Sequence, residues 1–211
     1  MVSSRQQLRQ RLRQQLRGTR RALSPAQQHR AAHRLAHQLS RLATLSTWRH
    51  VALYWPDDGE IDPSVFARLL KRRGVRLYLP VLAPRKNDFH LRFLAAPTQA
   101  YRQAHRQQLR QQFWPAKRNR YGLREPLSRH TIRPEKLDAL LMPLVGFDAS
   151  GQRLGMGGGF YDRLLARLGS SVRRPLLIGL AHQSQGVEAL PTEPWDKPVD
   201  MIVTDAGHLR R

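Results

Sequence analysis

The 211-residue sequence contains no cysteine. This absence excludes disulfide bonds, cysteine-ligated zinc, iron–sulfur clusters and catalysis by a thiol. Long apolar runs are missing as well, because no segment approaches the ~20 residues that a membrane-spanning helix needs. The basic N-terminus is not followed by the apolar core of a secretory signal. We therefore expect a cytoplasmic protein without a membrane partner, and a cysteine-free composition agrees with a reducing compartment.

Acidic residues are scarce, and none precedes Asp57. Lys and Arg number 37 while Asp and Glu number 15, which gives a formal net charge of +22. A charge of this size is typical of proteins that bind nucleic-acid backbones through counterion release. A solvated arginine-rich surface and a site for a small polyanion, such as a nucleotide, are the other interpretations. Residues 101–133 combine basic and aromatic side chains, which would suit contacts with RNA.

The first fifty residues predict two basic helices. In the first helix, Leu8, Leu12 and Leu16 recur every four residues and predict an apolar stripe that faces the core. A parallel stripe of arginines runs beside it, at Arg5, Arg9, Arg13 and Arg17. Ser24 and Pro25 predict the start of the second helix, because serine is a favoured N-cap and proline suits the first helical turn.

The rest of the chain alternates between apolar strands and helices. Strands are predicted over residues 50–56, 75–81, 89–94, 137–148, 175–182 and 199–204. Helices are predicted over residues 63–74 and after the glycine run near residue 157. This alternation predicts an α/β fold with an open, mostly parallel sheet flanked by helices on both faces, a three-layer, Rossmann-like arrangement. We expect the N-terminal basic helices to join it in a single domain over residues 1–211.

Four glycines within five residues form the most informative motif in the chain. They follow a predicted buried strand and precede an amphipathic helix, at Gly155, Gly157, Gly158 and Gly159. So many glycines are entropically costly, which indicates a backbone that approaches a ligand closely or needs positive φ. Free N–H groups at a helix start form a ready anion site. A tight turn that merely needs glycine is the alternative, and the spacing matches neither a Walker A loop nor the Rossmann fingerprint.

Two charged residues flank the glycine run. Arg153 can bind a phosphate group through its guanidinium fork. Asp162 falls in the first turn of the following helix. Its carboxylate could ligate Mg²⁺, because magnesium sites beside phosphates use one or two carboxylates. The alternative is that Asp162 serves only to stabilise the helix dipole.

The glycine run belongs to the longer segment LMPLVGFDASGQRLGMGGGFYDRLL. This segment resembles the signature of the 5-formyltetrahydrofolate cyclo-ligase family, also called methenyltetrahydrofolate synthetases. Three further segments, ALYWPDDGEID, YGLREP and LPTEPWDKPVDMIVT, resemble motifs of the same family and stand in the same order. The resemblance covers most of the chain. It implies an ATP-binding, magnesium-dependent ligase of folate one-carbon metabolism.

The resemblance implies a specific reaction. Mg-ATP drives the cyclisation of 5-formyltetrahydrofolate to 5,10-methenyltetrahydrofolate, and ADP and phosphate are released. The γ-phosphoryl group moves to the formyl oxygen and gives an imidate phosphate, whose carbon is then attacked by nitrogen 10 of the folate. Such chemistry needs positioning and charge neutralisation rather than an enzyme nucleophile. The absence of cysteine agrees with it.

The resemblance also implies roles for individual residues. Asp162 and Asp196 are expected to hold Mg²⁺, and Arg153 and Tyr161 are expected to act in catalysis. The residues expected to bind ATP are Arg9, Arg13, Arg153, Leu154, Gly155, Met156, Gly157, Gly158, Gly159, Phe160 and Tyr161. The residues expected to bind the folate are Trp55, Glu60, Tyr121 and Phe160.

Some of these residues have simpler interpretations. Asp196 lies in a turn-rich segment, where aspartate commonly forms turns. Glu60 could belong to a surface turn, and Trp55 and Tyr121 could be part of the core. Of the arginine stripe, the members outside the implied ATP site, Arg5 and Arg17, are expected to be a solvated face.

The sequence departs from the family pattern at the charged positions. Arg9 stands where the family usually has lysine, and the two side chains are not equivalent in contact geometry. Met156 and Gly158 occupy loop positions where the family often has lysine or arginine. Arg153 and the N-terminal arginines must therefore balance more of the phosphate charge.

Histidines offer one further candidate site. His29, His33 and His37 recur every four residues on the second predicted helix, which could present imidazoles to a metal. The helix has no acidic residue, and an incidental polar face is the alternative. His182 ends a predicted strand near the implied site, but its spacing shows no role.

Two other classes of function compete with the ligase. One is a basic nucleic-acid-binding protein, and the other is a folate-binding relative without turnover. The glycine run with Arg153 and Asp162 favours the ligase over the first, because binding nucleic acid requires no such combination. We expect small-molecule substrates, 5-formyltetrahydrofolate and ATP, a monomer, and no specific nucleic-acid partner.

Overall fold

The computed structural model describes residues 4–85, 88–96, 116–118, 124–126, 128, 130–169, 171 and 173–210. Within these residues the helices are α1 (Ser4–Arg21), α2 (Pro25–Ser40), α3 (Ser64–Arg72) and α4 (Phe160–Leu168). None of them is long and apolar enough to cross a membrane. The start of α2 confirms the predicted cap, because Ser24 Oγ accepts a hydrogen bond from the Gln27 amide, and Gln27 Oε1 accepts one from the Ser24 amide.

The strands of the described residues form one large sheet and two small ones. The large sheet contains β1 (His50–Ala52), β2 (Arg76–Arg85), β3 (Asp88–Ala95), β6 (Thr131–Ile132), β7 (Ala139–Pro143), β10 (Leu176–Leu180), β11 (Met201–Val203) and β12 (His208–Arg210). The small sheets pair β4 (Ala116–Arg118) with β5 (Arg124–Pro126), and β8 (Gly146–Phe147) with β9 (Arg153–Leu154).

The large sheet has a parallel centre and antiparallel edges. Its strand order is β12-β11-β10-β7-β1-β2-β3-β6. The five strands from β11 to β2 pair in parallel, and Val51 in β1 lies between Leu77 and Ala139. The pairings of β12, β3 and β6 are antiparallel. The prediction of an open, mostly parallel sheet is confirmed.

Helices cover both faces of this sheet, as predicted. Leu35 and Leu39 of α2 and Phe66 and Leu70 of α3 are buried in one apolar cluster with alternate residues of the central strands. Leu164, Leu165 and Leu168 of α4 are buried in a second cluster on the other face. Alternate residues of a strand point to opposite faces, so each buried central strand contributes to both clusters.

Two predicted strands are shorter than expected. The strand predicted over residues 50–56 ends at Ala52. The chain then leads into a turn that is closed by a hydrogen bond from the Glu60 amide to the Asp57 carbonyl. The strand predicted over residues 137–148 is divided. β7 ends at Pro143, and the chain then leaves the sheet to pair β8 with β9. In both cases the apolar run continues past the strand because the segment that follows is also buried.

The predicted apolar stripe of α1 is partly wrong. Leu8 is 49% exposed, whereas Arg9, Leu16 and Arg20 are buried. The buried face of the helix is therefore rotated away from the leucine stripe toward the arginines. Polar atoms of the neighbouring turns accept hydrogen bonds from these arginines, so their burial is compensated.

Arg20 is the most buried charged side chain of the described residues, with 0% exposure. Its Nε donates to the Asp58 carbonyl at 2.8 Å, Nη2 donates to Asp58 Oδ2 at 2.9 Å, and Nη1 donates to the Leu144 carbonyl at 3.2 Å. One guanidinium thus joins α1 to the turn after β1 and to the segment after β7.

Asp58 is surrounded by arginines. Besides Arg20, Arg17 Nε donates to its carboxylate at 2.7 Å and Arg21 also bonds it. Burial alone would raise the pKa of Asp58, but the hydrogen bonds from these three arginines lower it to about 2. The expectation of a solvated Arg17 is therefore wrong. The expectation for Arg5 is confirmed, because its side chain is 57% exposed, although Nη1 lies 3.6 Å from Glu193 Oε2.

Replacing Arg20 with alanine is expected to lower the free energy of unfolding by about 3 kcal/mol, because it removes one partner of a buried ion pair and leaves buried acceptors unpaired. Urea denaturation measures this change. Arg11→Ala is the matched control, since Arg11 is an exposed residue of the same helix. A loss for Arg20→Ala no larger than that of the control would contradict the structural role of the buried guanidinium.

Candidate active site

The segments that follow β1 and end β7 form one wall of a cavity of about 1090 Å³. Ligands of open α/β sheets commonly bind beyond the carboxyl ends of parallel strands. The other walls come from α1, from the glycine loop (residues 155–159), from the start of α4 and from residues 193–197. The predicted site residues that line the cavity are Arg9, Arg13, Trp55, Arg153, Gly155, Met156, Gly157, Gly158, Gly159, Phe160, Tyr161, Asp162 and Asp196.

Three predicted site residues are not among the lining residues. Leu154 is buried in a small apolar cluster with Leu16. Glu60 lies behind the wall, where Arg20 Nη2 is 3.7 Å from its Oε1. Tyr121 lies outside the described residues.

The glycine loop brings the backbone to the cavity in a conformation that favours glycine. Gly157 and Gly159 have φ values of 100° and 65°. Gly159 is also the N-cap of α4 and provides no side-chain hydrogen bond to the first turn. The amides at the start of a helix carry partial positive charge, so the loop and the helix start together can receive an anion.

Two arginines of the cavity are bonded to the two predicted metal ligands. Arg9 Nη2 donates to Asp196 Oδ1 at 3.0 Å, and its Nη1 donates to the Pro191 carbonyl at 2.6 Å. Arg153 donates to the Asp162 carboxylate, and its Nε donates to the Lys197 carbonyl at 3.0 Å. These pairs neutralise the cavity wall and keep both guanidinium groups in fixed positions.

Arg13 reaches the glycine loop from α1. Its Nε donates to the Gly155 carbonyl at 2.8 Å. Burial, and then the charge of Arg9, lower the pKa of Arg13, while Asp196 and Asp162 act in the opposite direction. An arginine stays charged near neutral pH in spite of such a shift. Arg13 therefore presents a positive charge beside the loop.

Glu60 is largely buried and has an unusual protonation equilibrium. Burial raises its pKa to about 7, although the charge of Arg20 and a hydrogen bond from the Asp57 amide lower it. In this hydrogen bond the Asp57 amide nitrogen lies 3.2 Å from Glu60 Oε2. The carboxyl group can therefore be neutral or ionised near neutral pH, which is a common property of residues that bind or transfer protons.

Two tyrosines lie close to Glu60. Tyr54 donates from its hydroxyl to the Ile61 carbonyl at 2.7 Å. Burial, and then the charge of Glu60, raise the pKa of both Tyr54 and Tyr161. Both hydroxyls therefore stay protonated near neutral pH and can donate hydrogen bonds.

The donor set fits an Mg²⁺ ion that arrives with a phosphate ligand. Asp162 and Asp196 are the carboxylates predicted for it, and magnesium sites of this kind use one or two carboxylates with phosphate oxygens and water. In the described part of the chain, no cluster of three or more histidine, aspartate or glutamate residues could hold a metal ion by itself. In the predicted histidine stripe, the ring centroids of His29 and His33 are 4.6 Å apart.

Sequence reasoning missed several residues of this region. Arg20 is buried behind the cavity, while Arg163 and Trp195 line it, and Trp195 is 60% exposed. A signal for Arg20 existed, because its spacing of four residues from Leu16 places both on one helical face. Nothing in the pattern indicated Arg163 or Trp195.

The chain is similar to known ligases along most of its length. The sequence model of the 5-formyltetrahydrofolate cyclo-ligase family matches residues 4–205. The chain is 39% identical over 158 residues to the 5-formyltetrahydrofolate cyclo-ligase of Haemophilus influenzae, which covers 74% of this chain and 75% of the relative. It is 40% identical over 156 residues to the Escherichia coli protein of the same name, with coverage of 73% and 76%.

Solved structures show the same fold. The 5,10-methenyltetrahydrofolate synthetase of Aquifex aeolicus superimposes with a TM-score of 0.75 and 30% identity, covering 96% of this chain and 92% of that chain. The synthetase of Mycoplasma pneumoniae gives a TM-score of 0.69 and 26% identity, with coverage of 93% and 98%. The chain therefore belongs to the 5-formyltetrahydrofolate cyclo-ligase family and is a ligase of folate one-carbon metabolism.

Proposed function

We propose that this protein uses Mg-ATP to convert 5-formyltetrahydrofolate into 5,10-methenyltetrahydrofolate, with release of ADP and phosphate. The observation that carries the proposal is one cavity that joins the glycine loop to Arg13 and to two arginine–carboxylate pairs. Phosphoryl transfer requires such an arrangement of backbone amides and cations, and it requires no nucleophile from the protein.

The proposed reaction has two steps. The formyl oxygen attacks the γ-phosphorus, the bond from this phosphorus to the bridging oxygen breaks, and ADP leaves with the electron pair. Nitrogen 10 then attacks the formyl carbon of the imidate phosphate, and phosphate departs with the former formyl oxygen. The proton of nitrogen 10 leaves with the phosphate, so the products are ADP, phosphate and the methenyl cation.

We assign the phosphate groups of ATP to the glycine loop, Arg9, Arg13 and Arg153. Guanidinium groups form strong bidentate hydrogen bonds with phosphate oxygens, as they do with carboxylates. Arg9 and Arg153 are each bonded to a carboxylate, so ATP phosphates could take the place of Asp196 and Asp162. The two carboxylates would then hold Mg²⁺, which when bound would neutralise phosphate charge as a Lewis acid.

We assign the folate to the wall formed by Trp55 and Phe160, with Tyr121 as a further contact. Trp55 and Phe160 line the cavity and offer flat apolar surfaces to a pterin ring. Glu60 follows Trp55 by five residues along the chain, and its ionised carboxylate could accept paired N–H bonds from the ring. Tyr161 would donate its hydroxyl hydrogen to a developing negative charge on the transferred group.

The direct test follows formation of the methenyl product from 5-formyltetrahydrofolate by its absorbance, with and without Mg-ATP. Product should form only with Mg-ATP. A wild-type protein that binds folate but forms no product would instead be a folate-binding relative of the ligases without turnover.

Asp162→Asn should reduce the turnover rate by at least about tenfold, because it removes a carboxylate that would hold the Mg²⁺ that neutralises phosphate charge. Unchanged turnover in Asp162→Asn, with its fold intact by circular dichroism, would remove the metal role of this residue.

Mg-ATP should raise the melting temperature of the protein, because a ligand that binds only the folded state stabilises it. Arg13→Ala should reduce this rise, since it removes the cation that contacts the glycine loop. Differential scanning fluorimetry over a range of ATP concentrations measures both effects. Arg11→Ala, on the exposed side of the same helix, should keep the full rise. Equal shifts in both variants would make Arg13 an ordinary surface charge.

The KM for 5-formyltetrahydrofolate should fall as the pH rises through about 7, because the ionised form of Glu60 accepts the ring N–H bonds and its raised pKa lies near that value. Steady-state kinetics at saturating ATP from roughly pH 6 to pH 8 gives the profile, one unit on either side of the expected midpoint. Glu60→Gln cannot ionise, so its KM should be higher and should lose this dependence. A Glu60→Gln profile that follows the wild type would show that another group titrates.

A further inference from the structure

A fourth arginine of the cavity, Arg163, lies against the glycine loop. It belongs to the first turn of α4, and its side chain turns back toward the loop. Nη1 donates to the Gly158 carbonyl at 3.2 Å, and Cζ lies 5.0 Å from the centroid of the Phe160 ring. A backbone carbonyl and an aromatic face thus hold this guanidinium at the edge of the cavity.

Gly159 leaves room for this guanidinium. A Cβ atom at position 159 would stand 2.9 Å from Arg163 Nη1, a distance that real Cβ contacts essentially never show. A side chain at this position would therefore shift the flexible guanidinium end of Arg163. The positive φ of Gly159 favours glycine there independently.

Arg13 and Arg163 contact the glycine loop at different residues. Arg13 bonds the Gly155 carbonyl, and its Cζ is 3.7 Å from the position of a Cβ on Gly157. Arg163 bonds the Gly158 carbonyl and lies against Gly159. Both hydrogen bonds go to backbone carbonyl groups, so they orient each guanidinium toward the loop. An anion seated on the loop amides would lie near both guanidinium groups.

We propose that Arg163 is a phosphate-binding residue of the ligase that stabilises the phosphoryl group during its transfer. The inference rests on the proposed function, in which this group leaves ADP and joins the formyl oxygen. During that step negative charge increases on the oxygens of the leaving phosphate and remains on those of the transferred group. Guanidinium N–H groups at the loop edge can donate to these oxygens, and Arg163 neither gains nor loses a proton.

A purely structural role for Arg163 would have a different signature. If the side chain only holds the loop through its bond to Gly158, a neutral donor such as glutamine could replace it. If its charge acts on phosphate, lysine should replace it better than glutamine. The pair Arg163→Lys and Arg163→Gln therefore separates the two roles. Arg163 is exposed, so neither variant removes a buried contact of the fold.

The experiment measures kcat and KM for ATP at saturating 5-formyltetrahydrofolate in wild type, Arg163→Gln, Arg163→Lys and Arg167→Gln. Arg167 is the matched control, because it is exposed one turn further along α4 and does not line the cavity. We expect Arg163→Gln to lower kcat/KM for ATP by about tenfold or more, the scale of a lost charge-assisted hydrogen bond. Arg163→Lys should retain several times more activity than Arg163→Gln, and Arg167→Gln should match the wild type.

A second measurement does not depend on turnover. The rise in melting temperature caused by the magnesium complex of a non-hydrolysable ATP analogue should be smaller in Arg163→Gln than in Arg167→Gln. Equal kinetics and equal shifts in these two variants would overturn the assignment while leaving the proposed function in place. Equal activity of Arg163→Gln and Arg163→Lys would also overturn it. If the wild type forms no product and is not stabilised by the analogue, both the proposed function and the assignment of Arg163 are wrong.

Discussion

The burial of the Arg20 guanidinium fixes the position of α1 on the rest of the molecule. Its three oxygen acceptors belong to the turn at Asp58 and to Leu144, so a rotation or a shift of the helix would leave several buried polar groups unpaired. Arg9 lies eleven residues earlier on the same face, a distance of about 16 Å along the helix axis. A helix held at one end by Arg20 therefore delivers Arg9 to Asp196 at the other, with Arg13 between them at the glycine loop. The same guanidinium also lies 3.7 Å from Glu60, so it links the placement of α1 to the protonation equilibrium of the proposed folate contact.

The net charge of +22 obscures the pairing of two cavity arginines with carboxylates. Arg9 is balanced by Asp196 and Arg153 by Asp162, although the chain holds more than twice as many basic as acidic residues. Two of the scarce carboxylates thus hold arginines of the cavity in place. Such pairing has a consequence for binding, because a metal–nucleotide complex brings both a cation and phosphates. The metal ion can bind the two carboxylates while the phosphates bind the two guanidinium groups. The metal ion alone or the nucleotide alone would leave one member of each ion pair without a partner. The proposed dependence on Mg-ATP as one ligand follows from this balance.

Local signals in the sequence were sufficient for much of the fold. Ser24 and Pro25 specify the start of α2 through hydrogen bonds within a few residues, and alternation of apolar segments specifies the sheet. The errors arise where a distant part of the chain decides. Leu8 continues the leucine stripe but is exposed, because the acceptors for Arg9 and Arg20 turn α1 toward a different face. The family resemblance led to 13 of the 28 described residues that line the cavity. It did not indicate Arg163, whose proposed role depends on a side chain that turns back along the helix.

Backbone conformation alone does not explain every glycine of the glycine loop. Positive φ accounts for Gly157 and Gly159, but it does not account for Gly158. A Cβ at Gly158 would stand 2.8 Å from the Phe160 ring, so this glycine makes room for an aromatic wall of the cavity. A Cβ at Gly159 would stand 2.9 Å from Arg163 Nη1, whereas a Cβ at Gly157 would be at an ordinary contact distance of 3.7 Å from Arg13. Met156 stands among them with 51% exposure, and its sulfur lies 3.8 Å from Arg20 Nη2. Positive φ, the Phe160 ring and Arg163 thus account for three of the four glycines of the run.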